Sequence, residues 1–161
     1  MRKFGIAILL IVSLVLLAAC GNEEASGEPL DVAACSQELL AAGVFTDELT
    51  QVETEVAIEY YGITQADVKD AHVYLSTGAT AEELAIFTAK DTETAKNIAA
   101  GVQQRISNQK TAFEQYLQAE ITKLDAAYVL EVGQGGEEYM ILCIAENIDE
   151  AKTIIAKYIA N

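Results

Sequence analysis

Residues 70–88, DAHVYLSTGATAEELAIFT, set the architecture, because their pattern returns at residues 125–143, DAAYVLEVGQGGEEYMILC. Laid over each other without a gap, the two stretches share Asp70/Asp125, Ala71/Ala126, Leu75/Leu130, Gly78/Gly133, Glu82/Glu137, Glu83/Glu138 and Ile86/Ile141. In each stretch apolar and polar residues alternate, with the period of a half-buried strand, around a glycine-containing turn. The sequence therefore predicts two β-hairpins related by an internal duplication, although two unrelated hairpins can also share a turn glycine and apolar alternation.

A helix is expected after each hairpin. Beyond Asp91, apolar residues recur at close to the helical period, at Ala95, Ile98, Ala99, Val102, Ile106, Phe113 and Leu117. The last segment begins at Asn147, with Glu150 three residues on as a capping-box partner. Two further helices are predicted before the first hairpin, at residues 31–42 and at residues 52–60.

These elements predict an α+β fold. Two N-terminal helices precede a duplicated β-β-α unit, which gives a four-stranded antiparallel sheet with its helices packed on one face. A chain of 161 residues is expected to hold one such domain, which we place at residues 30–161. With 52% hydrophobic residues and a single proline, the composition can bury a core of this kind.

The N-terminus has the order of an export signal. Arg2 and Lys3 precede an uncharged, mainly aliphatic stretch at residues 4–19, which is shorter than the ~20 residues of a spanning helix. Small residues then stand directly before Cys20, an arrangement that resembles the bacterial lipoprotein signal, in which this cysteine receives a diacylglyceryl group. The alternative is an ordinary signal peptide that contains a cysteine.

From the lipoprotein interpretation we expect three segments. Residues 1–19 are the signal peptide, residues 20–29 hold the lipidated Cys20 and a small, polar tether, and the domain follows. Two acyl chains are enough for stable anchoring, so the mature protein is expected on the extracytoplasmic face of the cell membrane.

The charge excludes one class of partner. With 10 basic and 25 acidic residues the formal net charge is -15 at pH 7, so the chain lacks the basic surface that nucleic-acid binding needs. The carboxylates are spread along the chain without a calcium-loop pattern, and we interpret most of them as a solvated surface. We predict no metal and no cofactor, and an unknown envelope protein or small ligand as the partner besides the membrane.

His72 is the only imidazole, and no nucleophile motif of the Gly-x-Ser-x-Gly type accompanies it, so we assign no catalytic residue. By alternation His72 shares a strand face with Tyr74. The outward residues Val129 and Glu131 of the second hairpin are expected on the same sheet face, left uncovered by the helices. These four residues form the candidate binding face.

Two other functions stay open. Glu82 and Glu137 occupy equivalent positions in the duplication, so an envelope hydrolase that uses these carboxylates is one alternative. The other is an accessory protein that pairs its outer strand with a strand of a partner.

Cys35 and Cys143 are the cysteines that remain after Cys20. Outside the cytoplasm they can oxidise to a disulfide, yet Cys143 lies in the apolar run 140–144, where a cysteine behaves as a small core residue. The sequence favours two buried thiols and leaves the disulfide open.

Several short motifs resemble those of one family. They are Tyr61-Gly62-Ile63, Ser76-Thr77-Gly78-Ala79, residues 82–87, the helix with Arg105, Gln109 and Tyr116, and Val132-Gly133. Over residues 52–158 this pattern resembles the small bacterial lipoproteins that contain the domain of unknown function 4358. The resemblance implies an exported α+β domain without an established activity, and it supplies no catalytic residues. Together these observations predict a membrane-anchored extracytoplasmic lipoprotein with a non-catalytic binding or interaction domain.

Overall fold

The computed structural model describes residues 27–159 of the chain, so the proposed signal peptide and Cys20 lie outside the described residues. Within residues 27–159 the chain forms five helices and five strands. In chain order these are α1 (Val32–Ala41), β1 (Thr50–Val52), α2 (Thr54–Tyr61), β2 (Val68–Leu75), β3 (Glu83–Ala89), α3 (Thr92–Phe113), α4 (Gln118–Asp125), β4 (Tyr128–Gln134), β5 (Glu137–Ile144) and α5 (Ile148–Ile159). None of these helices is long and apolar enough to cross a membrane.

The five strands form one antiparallel sheet in the order β1-β2-β3-β5-β4. Each repeated stretch forms a hairpin as predicted, and the second strands of the two hairpins, β3 and β5, lie side by side at the centre. Equivalent residues face the same side: Phe87 and Leu142 belong to one core, and Ile86 and Ile141 belong to the other. The two hairpins are therefore related by an approximate two-fold axis perpendicular to the sheet.

The predicted four-stranded sheet with helices on one face is wrong in two respects. A fifth strand, β1, pairs with β2 through only three residues, Thr50–Val52. Moreover, both faces of the sheet are covered: α2, α3 and α4 pack on the side of Phe87, called here the α3 face, and α1 and α5 pack on the side of Ile86, called the α5 face. The reason is that β3 and β5 are apolar on both sides, and such strands need cover on both faces.

The two hairpin turns lie at opposite ends of the sheet. Glu83 pairs with Ile144, whereas Ala89 pairs with Glu138, so the turn that joins β2 to β3 is at one end and the turn that joins β4 to β5 is at the other. We call these the β2–β3 end and the β4–β5 end. Helix α3 runs between them, because the Thr92 hydroxyl contacts Glu138 at the β4–β5 end, at 3.3 Å.

The chain enters the described part of the fold at the β4–β5 end. The Gln134 side-chain amide donates a hydrogen bond to the carbonyl oxygen of Glu28 at 2.9 Å, and the backbone N–H of Leu30 donates to the Tyr139 hydroxyl at 3.2 Å. Gly135 permits this contact, since a Cβ at this position would lie 2.3 Å from the nitrogen of Pro29. Residues 28–30 are thereby held against one particular end of the domain.

Candidate functional site

Two consecutive glutamates, Glu82 and Glu83, are buried at the start of β3, and each is only 1% exposed. Because neighbouring side chains point to opposite sides of extended chain, Glu83 enters the α3 face and Glu82 points the other way. The interpretation of the carboxylates as a solvated surface is therefore wrong for these two. A buried carboxylate must be paired and hydrogen-bonded, so the partners of each show what it does.

Glu83 is the centre of a network on the α3 face. Its carboxylate accepts a hydrogen bond from the Tyr61 hydroxyl at 2.5 Å, bonds from Arg105 at 2.6 and 3.1 Å, and a further bond from the Gln109 amide nitrogen. Burial alone would lower the pKa of Arg105, but hydrogen bonding and charge attraction by Glu83 outweigh it and raise the pKa. Burial and the nearby Glu83 charge raise the pKa of Tyr61, so its proton stays in place. Both carboxylate oxygens are engaged in this network.

Glu82 is engaged just as fully, in a separate network. It accepts hydrogen bonds from the backbone N–H groups of Thr46 and Asp47, both at 2.8 Å, and from the Lys123 ammonium at 3.0 Å. Lys123 also contacts Glu120 at 3.3 Å and Glu146 at 3.1 Å, and these partners raise its pKa against the lowering effect of burial. This network ties the segment after α1 and helix α4 to the sheet.

A cleft of about 390 Å³ opens at the β2–β3 end, above the Glu83 network. This volume lies within the range of small-molecule sites. Its wall consists of the second half of α3, the end of β2 with the β2–β3 turn, and the last turn of α2. The lining residues are Tyr60, Leu75, Ser76, Thr77, Gly78, Thr80, Arg105, Asn108, Gln109, Ala112 and Phe113.

The α3 wall carries the most distinctive groups of the cleft. The Arg105 guanidinium lies 4.9 Å from the centre of the Tyr60 ring, a cation–π contact, and Tyr60 remains 49% exposed. Gln109 is only 6% exposed, and its side-chain oxygen has no hydrogen-bond partner among the described residues. An unpartnered buried acceptor costs about 1–3 kcal/mol until a donor reaches it.

The β2–β3 turn forms the opposite wall and is held by its own hydroxyl groups. The Ser76 hydroxyl donates to the carbonyl oxygen of Thr80 at 2.6 Å, and the Thr77 hydroxyl donates to the Asp47 carboxylate at 2.8 Å. Hydrogen bonds from Thr77 outweigh burial and lower the pKa of Asp47. Gly78 adopts a φ of 93°, which few other residues adopt. Hydrogen bonds within the chain thus hold this wall in place.

The four residues of the predicted binding face do not share one face. His72 and Tyr74 lie opposite Ile86 and Leu84 on the α5 face, whereas Val129 and Glu131 lie opposite Leu142 and Met140 on the α3 face. None of the four lines the cleft. The His72 Nε2 lies 3.2 Å from the Asp70 carboxylate, while its Nδ1 has no partner among the described residues.

The alternative carboxylate pair is not brought together either. Glu82 precedes β3 at the β2–β3 end, and Glu137 begins β5 at the β4–β5 end, where it pairs with Lys69 at 2.6 Å. The length of β3 separates them, about 20 Å for six residue steps. Cys35 and Cys143 are free and buried on the α5 face. Among residues 27–159, no three His, Cys, Asp or Glu side chains are grouped so that they could hold a metal ion.

Sequence reasoning did not identify the cleft, although it had named several of its parts. Ser76, Thr77, Gly78, Arg105 and Gln109 carried the family resemblance, and the structure brings them to one place. They are far apart in sequence, and only the packing of α3 against the β2–β3 hairpin joins them. The usable signal was the lone arginine on the apolar side of an amphipathic helix, since a buried arginine requires a carboxylate partner.

Comparison with known proteins identifies a family but no activity. A family model described as "Domain of unknown function (DUF4358)" matches residues 41–144, which include the sheet, the Glu83 network and the cleft. No curated protein and no solved structure matches the chain.

Proposed function

The chain belongs to the family described as domain of unknown function (DUF4358), and from this premise we propose that it is a membrane-anchored extracytoplasmic lipoprotein with a non-catalytic binding domain. The cleft at the β2–β3 end is its binding site. The observation that carries the proposal is the preformed cleft itself, in which Tyr60, Arg105 and Gln109 present exposed or unsatisfied groups beside a buried network that fixes their positions.

The state of the cleft's charged groups supports binding over catalysis. A general base needs a lone pair that is free to take a proton from a substrate. The oxygens of Glu83 accept bonds from Tyr61, Arg105 and Gln109, and Arg105 is held by Glu83. These groups hold the shape of the site and are not available as proton carriers.

The docking of residues 28–30 sets the orientation that an anchored domain would have. Glu28 and Leu30 are bonded at the β4–β5 end, whereas the cleft opens at the β2–β3 end. If Cys20 carries the lipid, the cleft faces away from the membrane. A cleft with this orientation is accessible to molecules of the envelope or the surroundings.

The lipid anchor is tested by metabolic labelling with radioactive palmitate and by cell fractionation. We expect label and membrane association in the native protein, and loss of both in Cys20→Ala. Ser26→Ala, a change in the same tether, is the matched control and should keep both. Equal labelling of the native protein and Cys20→Ala would refute the anchor.

The binding site is tested in cells with a photo-crosslinking amino acid at single positions of α3. A probe at position 108 lies in the lining of the cleft, whereas a probe at the adjacent exposed position 107 does not. We expect a reproducible adduct from position 108 alone. Identical adducts from both positions would show that the cleft has no specific occupant.

The free edge of β4 favours strand addition as a second candidate function. This seven-residue strand is the last of the sheet, and within residues 27–159 it pairs with β5 alone, so its other edge meets no strand of the described chain and can pair with a partner strand. Glu131 is exposed in its middle. A photo-crosslinker at position 131 that captures a protein, while position 108 captures nothing, would favour this function over ligand binding in the cleft.

A further inference from the structure

The charges of the cleft balance. Arg105 is the one residue of the lining with a full charge, and its guanidinium is paired with Glu83 through two short contacts. No unpaired positive group therefore faces an anionic ligand, and the net charge of -15 works against an anion at long range. Likewise, no carboxylate is part of the lining, so nothing there compensates a cation. The electrostatics favour an uncharged ligand.

The polar groups of the cleft are suited to a ligand that both donates and accepts hydrogen bonds. The Gln109 side-chain oxygen is a hydrogen-bond acceptor with no partner in the described part of the chain, and its complement is a hydroxyl or N–H donor. Asn108 uses its side-chain oxygen to accept from Gln104 at 2.8 Å, which leaves its amide N–H groups to donate. The hydroxyl protons of Ser76 and Thr77 are used within the protein. Each oxygen also accepts one long bond from a backbone N–H, that of Gly78 at 3.3 Å and that of Ala79 at 3.4 Å, so one lone pair on each oxygen remains to accept from a ligand.

The apolar groups of the cleft provide flat surfaces beside these polar groups. Tyr60 and Phe113 supply rings, and Leu75 and Ala112 supply aliphatic surface. Aromatic rings next to amides and hydroxyls suit a ligand whose ring has apolar C–H faces and a polar rim of hydroxyl groups. Sugar rings have this combination, whereas a purely apolar ligand would leave the polar groups unpaired.

We infer that the cleft binds an uncharged saccharide, with sugar hydroxyls on Asn108, Gln109 and the β2–β3 turn and a sugar face on Tyr60. This inference rests on the proposed binding function and specifies its ligand. A free oligosaccharide and the glycan portion of an envelope polymer present the same chemistry. The orientation of the cleft away from the tether leaves it accessible to both.

The test uses the mature protein from cells, embedded in nanodiscs so that no sugar-based detergent competes. Calorimetric titration is made with four uncharged tetrasaccharides, of β-1,4-glucose, α-1,4-glucose, β-1,4-mannose and β-1,4-N-acetylglucosamine. The charged comparisons are the tetramers of glucosamine and of galacturonic acid. We expect saturable binding of at least one uncharged tetrasaccharide, about tenfold tighter than either charged one.

Two pairs of matched variants locate the binding. Tyr60→Ala removes the ring of the cleft and should weaken binding about tenfold, whereas Tyr116→Ala removes a ring that is 80% exposed outside the cleft lining and should change nothing. Asn108→Ala should likewise weaken binding, and Ser107→Ala, its exposed neighbour on the same helix, should not. Because all four positions are exposed, the variants are expected to fold.

The outcomes separate the inference from the proposed function. If no uncharged tetrasaccharide binds at millimolar concentration while the probe at position 108 still forms its adduct, the ligand class is wrong and the binding site stands. If both fail, both proposals are wrong. Binding of charged and uncharged tetramers with equal affinity, or an equal loss of affinity in Tyr60→Ala and Tyr116→Ala, also overturns the inference.

The source of the saccharide is a separate question. Tighter binding to insoluble envelope glycan than to tetrasaccharides identifies the polymer as the source, and the reverse identifies free sugar.

Discussion

Among single side chains, the buried Glu83 is expected to have a large effect on stability. It is buried with its charge paired to Arg105, and removing one partner of such a pair leaves an uncompensated charge. We expect Glu83→Gln to lower the free energy of unfolding by about 3 kcal/mol in urea denaturation. The matched control is Glu137→Gln, whose pair with Lys69 is partly exposed and should contribute only about 0 to 1 kcal/mol.

The Glu83 prediction includes a coupling test. Because Glu83 and Arg105 interact directly, Glu83→Gln combined with Arg105→Gln should cost clearly less than the sum of the two single changes. Equal losses in Glu83→Gln and Glu137→Gln, or strictly additive losses in the double variant, would contradict a paired buried charge.

The two buried thiols are expected to be inert. Burial is the main cause that raises the pKa of Cys35 and of Cys143 to about 12, so at pH 8 only about one thiol in ten thousand is ionised. Iodoacetamide at pH 8 should therefore leave both unmodified in the folded protein and modify both in urea, as measured by intact mass. Modification of the folded protein within minutes would show that at least one thiol is accessible.

At the scale of the secondary-structure elements, Gly101 in α3 gives a prediction about stability. The expected change in the free energy of unfolding has the opposite sign to the one that helix propensity gives. Alanine is favoured over glycine by about 1 kcal/mol inside a helix. A Cβ at position 101, however, would lie 2.5 Å from the carbonyl oxygen of Tyr61 and 2.7 Å from the Cγ2 of Ile63. Because the first of these atoms belongs to the backbone and cannot move alone, we expect Gly101→Ala to destabilise the protein by about 1 to 2 kcal/mol net.

Ser107→Ala is the control for Gly101→Ala, since position 107 is exposed on the same helix. It should leave urea stability unchanged or raise it by about 0.5 kcal/mol through propensity alone. A stabilised Gly101→Ala would mean that α2 and α3 do not approach as closely as described. Their contact holds Tyr60 and Arg105 in the cleft.

The elements that the sequence predicted are those with a local pattern. Alternation and turn glycines located both hairpins. Asn147 marked the start of the last helix, and the structure confirms it as a cap, because its side-chain oxygen accepts from the backbone N–H of Glu150 at 3.3 Å. Strand β1 was missed because three residues carry no period, and its conformation comes from pairing with residues distant in sequence. The sequence did not predict helices on both faces of the sheet. The alternation of apolar and polar residues in β2 and β4 was taken to hold for the whole sheet, whereas β3 and β5 are apolar on both sides.

For the domain as a whole, the duplication predicted symmetric helices, yet α3 and α5 lie on opposite faces. The hairpins obey the two-fold relation, but the segments after them differ: α3 has 22 residues and is followed by α4, whereas α5 has 12. This asymmetry places the second half of α3 beside the β2–β3 turn and so creates the cleft. The cleft could not be predicted from the repeat, because it arises where the repeat is broken.

The arrangement of the tether and the cleft predicts which end of the domain lies near the membrane. Glu28 docks at the β4–β5 end, beside the start of α3, and the seven residue steps from Cys20 to Gly27 reach at most about 25 Å. Helix α3 is about 33 Å long for its 22 residues, so its C-terminal end should lie far from a lipid attached at Cys20.

Energy transfer to acceptor-labelled lipid headgroups measures this orientation in nanodiscs. Glu93→Cys and Glu114→Cys place one fluorophore at each end of α3, at exposed positions, and the inert Cys35 and Cys143 leave the new thiol as the labelling site. We expect clearly stronger transfer from position 93 than from position 114. Equal transfer from both positions would mean that the docking of residues 28–30 does not orient the domain. Stronger transfer from position 114 would place the cleft against the membrane. A lipid headgroup would then be a better candidate ligand than an envelope glycan.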